Sequence, residues 1–267
     1  MERMSSVFVS LIMVIAFSMG CSVKEDRSVC PCVMMLDFSG VDPDRTDSLV
    51  MSVLSADGFI HKDTVFSDSF AAVCEVPVPR GGVQVNIYSV ENGQEDFSWM
   101  MDGDGASLEI PLGNECPAVN MFSRFVDTGA ESVYVPVALG KNYCNLTIRL
   151  LTDGQTDLWL SVEGNICGYS RNGAPMAGNF SVTPEMDAEG YCSVRIPRQT
   201  DSSLRLVISD EEGILREFAV GEYIVESGYD WSAYDLEDVE IDIDYSKAEV
   251  TFVINDWEMT FDINVEI

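Results

Sequence analysis

Basic side chains are scarce in this sequence. Fifteen lysines and arginines stand against 45 aspartates and glutamates, for a formal net charge of −30. That balance argues against nucleic acid as a partner, because its phosphates would be repelled rather than neutralised. It disfavours electrostatic docking on an anionic bilayer for the same reason, and it suits a solubilising surface charge. There is one histidine, His61, in "GFIHKDT". No Ser-His-Asp or Cys-His unit can be built without it, and no Gly-x-Ser-x-Gly elbow accompanies it, so it reads as a surface or strand-end residue. Glycine-rich phosphate loops and dinucleotide fingerprints are absent. No strong stretch carries apolar residues at helical spacing over ten residues, and no Pro/Ser-rich linker divides the chain. The apolar run Val7–Phe17, "VFVSLIMVIAF", falls short of the ~20 residues a helix needs to cross ~30 Å of hydrocarbon.

What that run does suit is the hydrophobic region of a signal peptide. Small Gly20 and then Cys21 follow it, an order that resembles a bacterial lipoprotein signal, with cleavage before Cys21 and lipid on the new N-terminal cysteine. The alternative is an ordinary secreted protein cut nearby. Two or more acyl chains anchor a protein stably where one does not, at ~0.8 kcal/mol per buried methylene. Residues 1–20 are therefore expected to be the signal peptide and 21–29 a lipidated N-terminus and spacer. The 46% apolar content argues for folded structure despite the charge.

Past the spacer, strand patterns dominate. "VQVNIYSV" puts Val83, Val85 and Ile87 on one face; "SVYVPVAL" aligns Val133, Val135 and Val137; "NLTIRLL" aligns Leu146, Ile148 and Leu150. "DLWLSVEG" sets Leu158, Leu160 and Val162 together, and "VEIDIDY" sets Val239, Ile241, Ile243 and Tyr245 against acidic neighbours. Period-two alternation with polar partners marks half-buried antiparallel strands. Turn signals such as "PRGG", "ENGQ", "TDGQ" and "DEEG" separate the runs. The expected fold is all-β, with two tandem sandwiches of ~100 residues each over 30–142 and 143–267, the seam falling near "LGKNYCN".

Eight cysteines in an exported chain point to an oxidising compartment. If Cys21 is lipidated, seven remain and cannot all pair internally. Cys30 and Cys32 flank a proline. Residues i and i+2 of an extended chain lie ~6.5–7 Å apart with divergent Cβ vectors, which disfavours a bond between them. Cys74 and Cys116 are the nearest other candidates. C-x-C without a second close pair does not make a zinc site. "DGDG" places Asp102 and Asp104 as in a calcium loop, but Ala106 and Gly113 stand where further oxygen ligands are needed, so it reads as a turn. Carboxylates crowd the segment after Asp235, where Lys247 is the only base; they fill the polar phase of strands. No catalytic residue, metal site or cofactor is assigned, and the chain is not expected to be an enzyme.

"CSVKEDRSVCPC" followed by "VMMLDFS" resembles the start of the fimbrillin-associated anchor lipoproteins of the Bacteroidetes, minor components of type V fimbriae. "VPVPRGGVQVNIYSV", "KNYCNLTIRL" and "INDWEMTFDINVEI" are similar to later parts of that family. The resemblance implies two transthyretin-like β-sandwiches and a lipid on Cys21. It implies an outer-membrane, surface-exposed place in a fimbrium, reached through an export signal at Lys24, Glu25 and Asp26. It also implies a non-catalytic role as anchor or accessory subunit that binds fimbrial shaft or accessory subunits. Strand complementation would supply the contact, through main-chain hydrogen bonds and alternate side chains. The rival reading is a surface lipoprotein that binds glycan for nutrient uptake, with Trp99, Trp159, Trp231 and Trp257 as stacking platforms.

Overall fold

The computed structural model of the chain describes residues 30–44, 46–90, 100–102, 105–151, 158–170, 172–244, 249–254 and 257–262. Ten strands come first: β1 (Cys32–Asp37), β2 (Ser48–Leu54), β3 (Ile60–Phe66), β4 (Val73–Val78), β5 (Val83–Val90), β6 (Met100–Asp102), β7 (Gly105–Glu109), β8 (Val119–Val126), β9 (Ser132–Pro136) and β10 (Gly140–Lys141). Then follow β11 (Tyr143–Leu151), β12 (Trp159–Tyr169), β13 (Pro175–Val182), β14 (Tyr191–Pro197), β15 (Arg205–Asp210) and β16 (Gly213–Phe218). The seven-residue helix α1 (Val220–Glu226) precedes β17 (Val239–Asp244), β18 (Glu249–Ile254) and β19 (Trp257–Asp262). The fold is all-β, as the alternation requires.

The first sandwich faces a three-stranded sheet, β4-β1-β9, with a five-stranded one, β10-β8-β5-β2-β3. The expected inward sets fill its core: Val83, Val85 and Ile87 are fully buried beside Met34, Leu36, Leu49, Met51 and Val53. The second sandwich faces β14-β11-β17-β18-β19 with β16-β15-β12-β7-β6, and β13 also pairs with β12. Leu146, Ile148, Leu150, Leu160, Val162, Val239, Ile241 and Ile243 are buried in its core. Helix α1 adds Val220 and Ile224 to that core. It is too short to print a helical period over ten residues, which is why the alternation alone dominates the sequence.

One segment changes sandwich. Glu109 and Leu108 of β7 pair with Gly168 and Tyr169 of β12. Leu108, Ile110, Cys116, Val119 and Met121 sit in the second core, although β8 belongs to a sheet of the first. The chain then leaves through β10, which pairs with β8, and enters the second sandwich as β11. β6 and β7 form an antiparallel hairpin, with Asp102 opposite Gly105.

Candidate binding surface

Cys21, Lys24, Glu25, Asp26 and Trp99 lie outside the described residues. All seven cysteines from Cys30 onward are free thiols: Cys30 is exposed, Cys74 and Cys167 are half-buried, and the other four are buried. The ladder gives a reason for one pair. Cys32 faces Val78 and Cys74 faces Leu36 across β1 and β4, so they stand four residues apart, roughly 13 Å along the sheet, beyond disulfide reach. Cys116 sits in the other core. Burial pushes the Cys144 thiol up to about 12 and the Cys192 thiol up to about 11, and it raises Cys116 further. Thiols held protonated are poor nucleophiles, so these three serve as core packing. His61 lies on β3 opposite Val53, half-buried in an ordinary ladder position. Among the described residues no group of three or more His, Cys, Asp or Glu is placed to hold a metal ion.

Exposed sheet edges are where another chain can pair. The three-stranded sheet ends in β4 and β9, and each carries a proline, Pro77 and Pro136. A proline offers no donor and blunts an edge. β3 shows Lys62 and Asp63 to solvent. β14 is met at Arg195 by the preceding connection: the Arg195 backbone N–H donates to Glu115 Oε2 at 3.0 Å, and the Cys116 N–H donates to the Arg195 carbonyl at 2.8 Å. β13 is tied at Ser181, whose carbonyl accepts from the Gly113 N–H at 2.7 Å. β16 differs. It ends its sheet without proline, and it exposes Ile214 (65%) and Leu215 (41%). β19 ends the opposite sheet, whereas β18 is paired on both sides.

The tryptophans separate. Trp231 is buried, its ring edge-on to Tyr229 at 4.6 Å. Trp159 is 45% exposed. The β12–β15–β16 register puts Trp159 opposite Ser209 and Ser209 opposite Ile214, so indole and isoleucine stand in one row on the outer face. Trp159 also borders a groove of about 910 Å³ at the end of the second sandwich. The groove has a leucine lining from β11 and β12 and a wall formed by residues 183–190.

A polar clamp joins the two sandwiches. Asn142, between β10 and β11, is buried. Its backbone N–H donates to the Val119 carbonyl at 3.0 Å, and its carbonyl accepts from the Tyr169 hydroxyl. Arg198 Nε donates to Asn142 Oδ1 at 2.5 Å, and its Nη1 donates to the Trp231 and Ala233 carbonyls, the second at 2.8 Å. Asp235 accepts from the Lys141 N–H at 2.7 Å. Asp238 accepts from the Lys141 ammonium and from the Asn145 backbone N–H at 2.7 Å. Nothing in the sequence marks these residues as a unit; bonded partners lie up to 97 positions apart and meet only through topology.

The clamp predicts a pH response. Burial raises the Asp238 carboxyl, but the Lys141 and Asn145 donors outweigh it and hold the group below the usual carboxylate range. A depressed folded value means stability that is present above about pH 4 and lost as pH falls through the folded value. Asp238 is half-exposed, so the contribution is expected to stay below about 1 kcal/mol. In Asp238→Asn, the acid side of a urea-stability profile should flatten by that amount. A profile parallel to that of the wild type would count against this role.

No family model matches the chain, and no curated protein matches it in sequence. Solved structures do. A polysaccharide-binding candidate of Bacteroides thetaiotaomicron superposes with a TM-score of 0.65 at 11% identity, covering 86% of this chain and 98% of that one. The fimbrial anchor protein Mfa2 of Porphyromonas gingivalis gives 0.60 at 10% identity over 86% and 99%. An adhesin candidate of Bacteroides thetaiotaomicron gives 0.59 at 14% over 88% and 99%. The likeness is one of fold. It spans both sandwiches, since the coverage takes in nearly the whole of each neighbour.

Proposed function

We propose that the chain is a non-enzymatic cell-surface lipoprotein that serves as anchor or accessory subunit of a fimbria. The observation that carries this reading is the two-sandwich architecture matched along almost the full length of a fimbrial anchor protein. The N-terminal stretch through Cys21 that resembles a lipoprotein signal supports it. Partner binding proceeds by strand addition, and β16 is the favoured edge: it ends its sheet, carries no proline, and exposes two apolar side chains to set register. The lipid on Cys21 holds the protein in the outer membrane, and Lys24, Glu25 and Asp26 direct it to the surface.

The decisive experiment replaces Cys21 with alanine in the native host. The expected result is loss of the protein from the membrane fraction and release of fimbriae into the medium. Fimbriae of normal length still held by the cells, with the variant protein in the membrane as before, would refute the anchor reading. A second reading, glycan binding, draws on the exposed indole of Trp159 and on the likeness to a polysaccharide-binding candidate.

A further inference from the structure

The geometry points to the groove beside Trp159 as a seat for the basic side chains of an extended partner peptide. This inference goes beyond the strand-addition reading, because the contact is made by side chains at the end of the second sandwich and needs no free sheet edge. Three features of the groove agree on the occupant. Its lining includes the half-buried Leu151, Leu158 and Met186, an apolar surface on which the methylene stem of a lysine or arginine lies well. Its wall, "TPEMDAEG", carries Glu185, Asp187 and Glu189 at alternate positions, all exposed. Its border holds the half-exposed indole of Trp159, the best aromatic partner for a cation.

The hydrogen bonds say which carboxylates are available. Asp187 Oδ1 is occupied in the turn, where it accepts from the Glu189 N–H at 3.0 Å and the Tyr191 N–H at 2.7 Å. Glu185 and Glu189 are therefore the main acceptors. No lysine, arginine or histidine stands among the described residues that line the groove. The nearest base on the neighbouring strand, Arg149, is engaged elsewhere: its guanidinium lies 5.2 Å from the Tyr191 ring centroid, and its Nη1 is 3.9 Å from Asp242. The net charge of −30 raises the local concentration of a cationic ligand. A neutral sugar ring would stack on Trp159 but would draw nothing from that charge. A peptide fits better than a small cation, since the exposed Ile214 stands in one row with Trp159, two strands away across Ser209, and offers a second apolar contact. The occupant is thus a segment alternating basic and apolar residues.

The test uses the full chain and three probes: an acetylated, amidated peptide of alternating lysine and leucine, the same peptide with glutamate for lysine, and cellohexaose. Calorimetry is expected to show binding of the lysine peptide alone, weakening as salt rises from about 0.05 to about 0.3 M. Trp159→Ala and the double variant Glu185→Gln with Glu189→Gln should each weaken it by about tenfold. These side chains are exposed, so circular dichroism should match the wild type. Equal affinity in wild type and variants means diffuse attraction to an acidic surface and overturns the proposal. So does absence of binding. Salt-independent binding of cellohexaose that Trp159→Ala abolishes makes the groove a sugar site instead, and leaves the anchor reading to be judged by Cys21→Ala alone.

Discussion

A chain carrying Gly168→Ala is expected to lose the pairing of β7 with β12. Gly168 has φ +151°, and a Cβ added there would sit 1.8 Å from the Leu108 carbonyl oxygen and 3.1 Å from Glu109 Cα. Both neighbours are backbone, so no side-chain rotation relieves the clash. Strand glycines often mark a close approach of another backbone, and here the approaching strand is β7, whose Leu108 and Glu109 pair with β12, followed by the Ile110 N–H donating to the Cys167 carbonyl at 2.7 Å. Displacing it removes Leu108 and Ile110 from a core in which both are buried. Two large apolar side chains at ~2–5 kcal/mol each set the upper range of the loss, and partial relaxation brings the expected value to about 3–5 kcal/mol. Urea denaturation should show that loss, and amide exchange should accelerate over residues 105–110 before it does elsewhere. Wild-type exchange in that segment, with an unshifted urea midpoint, would mean that β7 is not held as described.

Arg198→Met is expected to cost about 3 kcal/mol. Methionine keeps most of the aliphatic stem and removes the donors. Three acceptors then lose their partner: Asn142 Oδ1, the Trp231 carbonyl and the Ala233 carbonyl. A buried polar atom left unsatisfied costs ~1–3 kcal/mol. Arg198 is only partly buried, so water recovers some of that, and the estimate stays at the lower end of the sum. The location of the damage matters as much as its size. The three acceptors lie on the strand connection between the sandwiches and on the segment before β17, so the variant should become sensitive to limited proteolysis near residues 138–145. Stability lost without new cleavage there would show that Arg198 supports only the second core and not the junction. An unchanged urea midpoint would show that the clamp is dispensable.

How much of this was readable beforehand depended on whether the information was local. The strands of "VQVNIYSV", "NLTIRLL" and "VEIDID" announced themselves because each buries one face and wets the other. "DLWLSVEG" told more than its strand. With Leu158, Leu160 and Val162 aligned inward, Trp159 had to point outward, and it is exposed, whereas Trp231 lies in a loop with no period to orient it and is buried. β3, "IHKDTVF", buries only Val65, and β13, "PMAGNFSV", is broken by register shifts, so neither prints a clean period. The migration of β7 into the second sandwich is set by tertiary pairing and has no local cause; Gly168 in "NICGYS" was its one trace. The groove was half legible. Alternating acids in "TPEMDAEG" were visible, but only the fold brings them beside Trp159. The disulfide candidates show the limit from the other side: spacing marks cysteines as near in sequence, while register decides that Cys32 and Cys74 face other residues.

The same migrating hairpin has a consequence for how the protein is made. Synthesis from the N-terminus presents residues 105–110 well before Gly168 and Tyr169 arrive. Until then β7 is an unsatisfied strand attached to a first sandwich that is otherwise able to close, and it waits as a surface for holding factors or for the wrong neighbour. The two halves are therefore not separable parts in a gene. A fragment that starts at Tyr143 lacks Leu108, Ile110, Cys116, Val119 and Met121 of its own core, and one that ends at Asn142 carries those side chains with nowhere to put them. The second core therefore waits for β12 to take up a strand delivered dozens of residues earlier, and it is complete only when β17 adds Val239, Ile241 and Ile243.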